Sequence, residues 1–167
     1  MEGNFEKVKK NAGMVNKLVV SKKEDLLKLT GTKLGPSEWI TIDKQMILDF
    51  AALTSDKQWV HTDTEKAKKW LPDGKIIAHG YLTLSLLSNL LYSLVEINNI
   101  QSFVNYGMNK LRFIHTVSVD SSVRLRAELK EATIQENSTI QILLSCTLEI
   151  EGKDKPAYVA ELIALIQ

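Results

Sequence analysis

Two spacings of apolar residues divide the chain, and the change falls near residue 100. In the second part, Val123, Leu125, Ala127 and Leu129 alternate with Arg124, Arg126, Glu128 and Lys130. Ile140, Ile142, Leu144, Cys146, Leu148 and Ile150 alternate with mostly polar neighbours. Side chains of a strand point to opposite faces in turn, so this period predicts strands with one buried and one wet face. Residues 105–115 and 157–166 predict a strand on either side of these, with turns at Glu136-Asn137 and Glu151-Gly152-Lys153-Asp154.

The first part has helical spacing. Met46, Ile47, Phe50 and Ala51 share one face of a helix that Thr41 or Asp43 caps, after a short strand at Glu38–Ile42. Thr64–Trp70 predicts a second helix, started by Asp63 and stopped by Pro72-Asp73-Gly74, after an irregular polar segment from Thr54 to Asp63. From Tyr81 to Val95, leucines cover nearly the whole circumference of a third helix; Ser85, Ser88 and Tyr92 are its polar stripe. A helix apolar on most sides is wrapped by other structure. A sheet with one apolar face needs a cover, and this helix is the one element apolar enough to supply it. The expected fold is therefore α+β, a long antiparallel sheet wrapped around a central buried helix. Residues 36–167 form that domain. Residues 1–35 are a helical extension, with short helices around Val15–Val19 and Leu26–Leu29. Its lysine run (Lys7, Lys9, Lys10, Lys17, Lys22, Lys23) is a solvated helix face or a contact for an acidic partner. A single sheet leaves an edge and apolar surface open, which a homodimer closes.

Composition narrows the function. With 21 basic and 20 acidic residues, no global field points to nucleic acid or an acidic membrane. One cysteine, Cys146, is neither a staple nor a zinc cluster; it fits a reducing, cytoplasmic compartment and lies on the buried register of its strand. The opening residues lack the basic-then-apolar pattern of a signal peptide, and the longest apolar stretch is too short to span a membrane.

Chemistry concentrates in Asp56 and His61, five positions apart in the polar segment. A carboxylate and an imidazole together place one water and move two protons. Gly80 opens the long helix, whose first N–H groups lack internal partners and suit a developing oxyanion. On the residues alone, an Asp and a His in one loop are also a cap and a surface residue. Asp56, His61 and Asp63 as a metal site is a further reading, with nothing to complete a dense ligand set.

Ser55-Asp56-Lys57-Gln58-Trp59-Val60-His61 resembles the D-x-N-P-[hydrophobic]-H signature of R-specific enoyl-CoA hydratases and other MaoC-like dehydratases. Ile77-Ala78-His79-Gly80-Tyr81 is similar to that family's second block. The stretches 105–113 and 155–161 resemble its nodulation protein N-like branch. The resemblance covers about residues 36–167 and implies a hot-dog fold. It implies reversible hydration of trans-2-enoyl-CoA to (R)-3-hydroxyacyl-CoA, on coenzyme A or acyl-carrier-protein thioesters, with no cofactor and no metal. Asp56 and His61 would hold the water, with Asp56 as base and His61 helping to deliver the proton. The Gly80 N–H would take the thioester oxygen, and Ser88 would hydrogen-bond and orient Asp56. Trp59, Tyr81 and Tyr92 are candidates for the acyl pocket or for the core. Ser55, Gln58 and Trp59 stand where the signature has Gly, Asn and Pro. His79 is expected to pack at the helix start and His115 to end a strand; Lys110 and Arg112 meet coenzyme A phosphates or water. Thioester hydrolysis and non-catalytic thioester binding are the alternatives on the same scaffold.

Overall fold

The computed structural model describes residues 17–167. Val15 and Lys7, Lys9 and Lys10 of the N-terminal expectations lie outside the described residues. The strands are β1 (Leu18–Val20), β2 (Lys33–Leu34), β3 (Ile40–Ile42), β4 (Val95–Ile97), β5 (Phe103–Phe113), β6 (Ser121–Ile134), β7 (Ile140–Ile150) and β8 (Tyr158–Ile166). The helices are α1 (Lys44–Thr54), α2 (Trp59–Thr62), α3 (Thr64–Trp70) and α4 (Gly80–Leu94), with one 3-10 helix at Lys23–Lys28.

Strands β2, β6, β7, β8 and β5 follow one another in a single antiparallel sheet, and β3 also pairs with β6. The alternation read from the sequence sets its register: Leu144 faces Leu162 and Cys146 faces Ala160 across β7 and β8. The apolar set of β6, β7 and β8 is buried on one face. Against it lie Leu82, Leu87, Leu90, Leu91 and Leu94 of α4, all in the same core. Each such side chain contributes roughly 1.5–3 kcal/mol by leaving water. A sheet curled around one buried helix is the hot-dog architecture. Cys146 is fully buried and burial pushes its thiol up to about 12, so it packs and does not react.

Of the two short helices expected in the N-terminal segment, the second is present as the 3-10 helix at Lys23–Lys28, and the described part of the first is not helical. Leu18-Val19-Val20 is a strand, paired in parallel with β4, because two β-branched residues favour an extended backbone. The 3-10 helix follows, and β2 joins the main sheet beside β6. Val20, Leu26 and Leu34 enter the common core.

Strand β5 ends the sheet and differs from its neighbours. Its register slips between Asn105 and Gly107 and again between Asn109 and Arg112. Much of it is exposed, including Val104 and Tyr106, and the exposed Tyr81 of α4 lines a groove beside it. Among the described residues, no helix is long and apolar enough to cross a membrane.

Candidate active site

The site is assembled from three short stretches. The first is the loop after α1. Asp43 caps α1 by accepting from the Met46 N–H at 2.8 Å, and the helix stops at Ser55, whose left-handed backbone (φ 60°) turns the chain sharply. Asp56 follows, partly buried. Among the described residues, no group hydrogen-bonds its carboxylate.

The second stretch is α2, a single turn that the polar segment did not announce. It swings His61 inward to 8% exposure. The Ile77 carbonyl accepts from His61 Nδ1 at 2.7 Å. That bond places the proton on Nδ1 and leaves the Nε2 lone pair to the cleft. Burial holds the imidazole below its usual pKa; the Ile77 carbonyl opposes this, His79 adds to it and Asp56 opposes it. The neutral, proton-accepting ring is therefore favoured.

The third stretch is Ile76–Gly80. The Ile77 N–H donates to Val60 O at 3.0 Å and the Ala78 N–H to Val117 O at 2.7 Å, which straps this segment between α2 and the turn before β6. Gly80 then opens α4. Its N–H has no intrahelical acceptor. A Cβ at Gly80 would stand 3.0 Å from the Phe113 ring, so a side chain here would need that ring to give way by a few tenths of an ångström.

His61, Gly80, Thr83, Phe113 and His115 line one cleft of about 260 Å³. His115, expected only to end a strand, reaches the cleft because it follows β5, which runs back beside α4, and no local pattern shows that. His79 is the larger addition. It is 3% exposed, stacks on His61 with centroids 3.6 Å apart and planes at 23°, and donates from Nε2 to the Asp56 carbonyl at 2.9 Å. Asp56, His61 and His79 bring one potential ligand atom each within 4.8 Å of the others. The two rings are nearly parallel, however. Their in-plane lone pairs run side by side and do not converge on one ion, a poor arrangement for a metal.

Other expected residues lie elsewhere. The Ser88 hydroxyl accepts from Asn105 Nδ2 at 2.8 Å and makes no described hydrogen bond to Asp56. Eight residues along an α-helix is about 12 Å, which carries Ser88 away from the helix start. Ser88 and Tyr81 line a second, larger groove of about 470 Å³ between α4 and β5. Tyr92 is half-exposed against Phe103, and Trp59 is 37% exposed on α2. Lys110 is exposed and pairs with Glu161 at 2.8 Å; Arg112 is exposed and donates to Leu111 O. Asp63 accepts from the Lys66 N–H at 2.9 Å and caps α3.

Fold and cleft together define a hot-dog protein with Asp56, His61 and His79 gathered near the start of its central helix. Comparison with known proteins agrees. Residues 25–147 match the model of the MaoC-like domain. The chain is 42% identical over 139 residues to 3-hydroxyacyl-thioester dehydratase Z of Mycobacterium tuberculosis, covering 83% of this chain and 91% of that one. It is 40% identical over 144 residues to nodulation protein N of Rhizobium meliloti, covering 86% and 89%. Among solved structures, the monoamine oxidase regulatory protein from Archaeoglobus fulgius superposes with a TM-score of 0.72 at 24% identity, covering 92% of this chain and 97% of that one. The (R)-hydratase from A. caviae superposes at 0.64 with 23% identity, covering 81% and 94%. The chain belongs to the MaoC-like dehydratase family. It is an enzyme of the hydratase/dehydratase class, a lyase.

Proposed function

We propose that this enzyme adds water reversibly across the double bond of a trans-2-enoyl-CoA to give the (R)-3-hydroxyacyl-CoA. The observation that carries the proposal is the bond from His61 Nδ1 to the Ile77 carbonyl. With Nδ1–H spent on Ile77 O, its Nε2 lone pair faces a cleft beside Asp56 and the start of α4. The relative named for 3-hydroxyacyl thioesters supports the substrate class.

In this mechanism water sits between the Asp56 carboxylate and His61 Nε2. Asp56 takes one proton as the water oxygen bonds to C3. The C2=C3 electron pair moves toward the thioester carbonyl, and the enolate oxygen accepts from the Gly80 N–H. The pair then returns one proton to C2. Water is consumed whole and nothing is oxidised or reduced, so the reaction calls for no redox cofactor. General acid–base groups of this kind contribute about 10²- to 10⁴-fold, and an oxyanion donor about 10²- to 10³-fold. The acyl chain runs along Tyr81 into the α4–β5 groove.

The working unit is proposed to be a homodimer. Tyr81 and Tyr106 are 68% and 67% exposed beside the open edge of β5, an unusual amount of aromatic surface to leave in water.

The test is loss of enoyl-thioester absorbance with short and medium trans-2-enoyl-CoAs, with chiral analysis of the product and light scattering for the dimer. A 3R product from a two-chain particle is expected. Release of free CoA without hydration would replace the reading with thioester hydrolysis. Hydration of acyl-carrier-protein thioesters alone would correct the carrier.

A further inference from the structure

His79 is a costly residue to bury. Its side chain makes no hydrogen bond to the helix it precedes, so it is not a cap for α4. Its Nδ1 is buried without a partner. A buried polar atom left alone costs free energy, and a phenylalanine or leucine would fill the space without that cost. What an apolar side chain cannot supply is the one bond the ring does make, Nε2–H to the Asp56 carbonyl.

That bond falls where the chain is otherwise weakly tied. Around Asp56 the remaining described bonds are short in range and mostly long in distance: Asp56 N–H to Thr54 Oγ1 at 3.4 Å, Lys57 N–H to Ser55 O at 3.1 Å, and the Thr62 hydroxyl to Lys57 O at 3.3 Å. The His79 bond spans 23 positions and joins this loop to the strap that leads into α4. The same ring stacks on His61, and Phe50 of α1 meets it at 5.0 Å. His79 thus touches both members of the acid–base pair and is the chain neighbour of Gly80.

We propose that His79 is a positioning residue: its Nε2–H fixes the Asp56 backbone, and its face fixes the His61 ring, so that both stand at a constant distance from the Gly80 N–H. The proposal rests on the hydratase reading for its kinetic consequence, though not for its structural one. Misplacing a reacting group by about 1 Å can cost about 10²-fold in rate. Binding of the rest of the substrate, far from this ring, should hardly change.

The experiment compares His79→Leu with His79→Gln in the full chain. The two are close in size and both lose the stack, but only glutamine keeps an N–H donor at comparable reach. Hydration of trans-2-butenoyl-CoA gives kcat and KM, and amide exchange at Lys57 reports the loop directly. His79→Leu is expected to lower kcat about 10- to 100-fold, with KM within about threefold, and to speed Lys57 exchange about 3- to 10-fold, the equivalent of one hydrogen bond. His79→Gln should recover most of the change in exchange and part of the loss in kcat, the remainder reporting the lost stack on His61. Equal kcat in the two variants, or Lys57 exchange unchanged in His79→Leu, would overturn the proposal. A wild-type protein with no hydratase activity would instead sink the functional reading, and the exchange comparison would still decide whether His79 positions the loop.

Discussion

The two ends of interest on helix α4 are built on opposite principles. At its start, Gly80 and Thr83 face a small cleft in which nearly every polar group is pinned: His61 by Ile77, His79 by Asp56, and the Thr83 hydroxyl by Gly80 O at 2.7 Å. Two turns further on, Ser85 and Ser88 face a groove nearly twice as large, walled by an edge strand with a slipped register. The first region is tied by hydrogen bonds between distant segments, which suits bond making. The second is open and adaptable, which suits a variable chain or a second subunit. One helix can serve both because 3.6 residues per turn carries the polar stripe around its surface as it rises. Residues eight apart in sequence therefore belong to different tasks.

Loss of the carboxylate is the severest way to test this division. Asp56→Asn should lower kcat by about 10²- to 10⁴-fold while the thermal midpoint stays near that of the wild type, since no described group hydrogen-bonds that carboxylate. Steady-state hydration and a thermal melt check it. Wild-type turnover in a folded variant would remove Asp56 from the chemistry and leave the small cleft without its base.

The same cleft should give the enzyme its acid limit. Because burial lowers the pKa of His61 from 6.5, the unfolded chain binds more protons than the folded one between the folded value and 6.5. This contribution to stability is complete above 6.5 and is lost as pH falls through the folded value. The acid limb of kcat is expected below 6.5, and denaturation across a pH series should show stability falling on the same side. His61→Gln should flatten that fall. An acid limb above 6.5 would mean that the imidazole is not held in its neutral form.

The division was only partly legible in the sequence. Strands β6, β7 and β8 were, because a long period-two pattern has no other reading, and α3 was, because Asp63 caps it as expected. The pair β1 and β4 was not: three residues carry no period, and Leu18 finds its partner at Val95. Asp56 and His61 were legible as a motif, and the structure brings them together. The role of His79 was not, since its bond is to a backbone carbonyl, and a backbone group leaves no mark in the sequence. Ser88 was read from the family resemblance and from its place on the polar stripe of α4. Neither says that Asn105, on a distant strand, will engage its hydroxyl.

A milder substitution sharpens the same contrast. Ser88→Ala removes one partly exposed hydrogen bond to Asn105, a matter of about 1 kcal/mol. Turnover should fall by no more than about fivefold, and any larger change should appear in chain-length preference. Kinetics on enoyl-CoAs of increasing length provide the measurement. A loss as deep as that of Asp56→Asn would place Ser88 in the reacting centre and dissolve the distinction between cleft and groove.

The smallest effect concerns how the tied region is entered. Ser55 ends α1 in the left-handed conformation, with φ at 60°. A side chain there costs roughly 1–2 kcal/mol relative to the right-handed region, because Cβ crowds the following carbonyl. Glycine escapes that cost but loses more freedom on folding, by roughly 0.5–1 kcal/mol. Ser55→Gly should therefore stabilise the protein by up to about 1 kcal/mol, read as a higher urea midpoint at unchanged slope. The Ser55 carbonyl would still accept from Lys57, and His79 would still hold the Asp56 carbonyl, so turnover should stay within about twofold. If stability rises while turnover collapses, the strain at Ser55 is itself part of how Asp56 is aimed, and the tied region begins one residue earlier than its hydrogen bonds indicate.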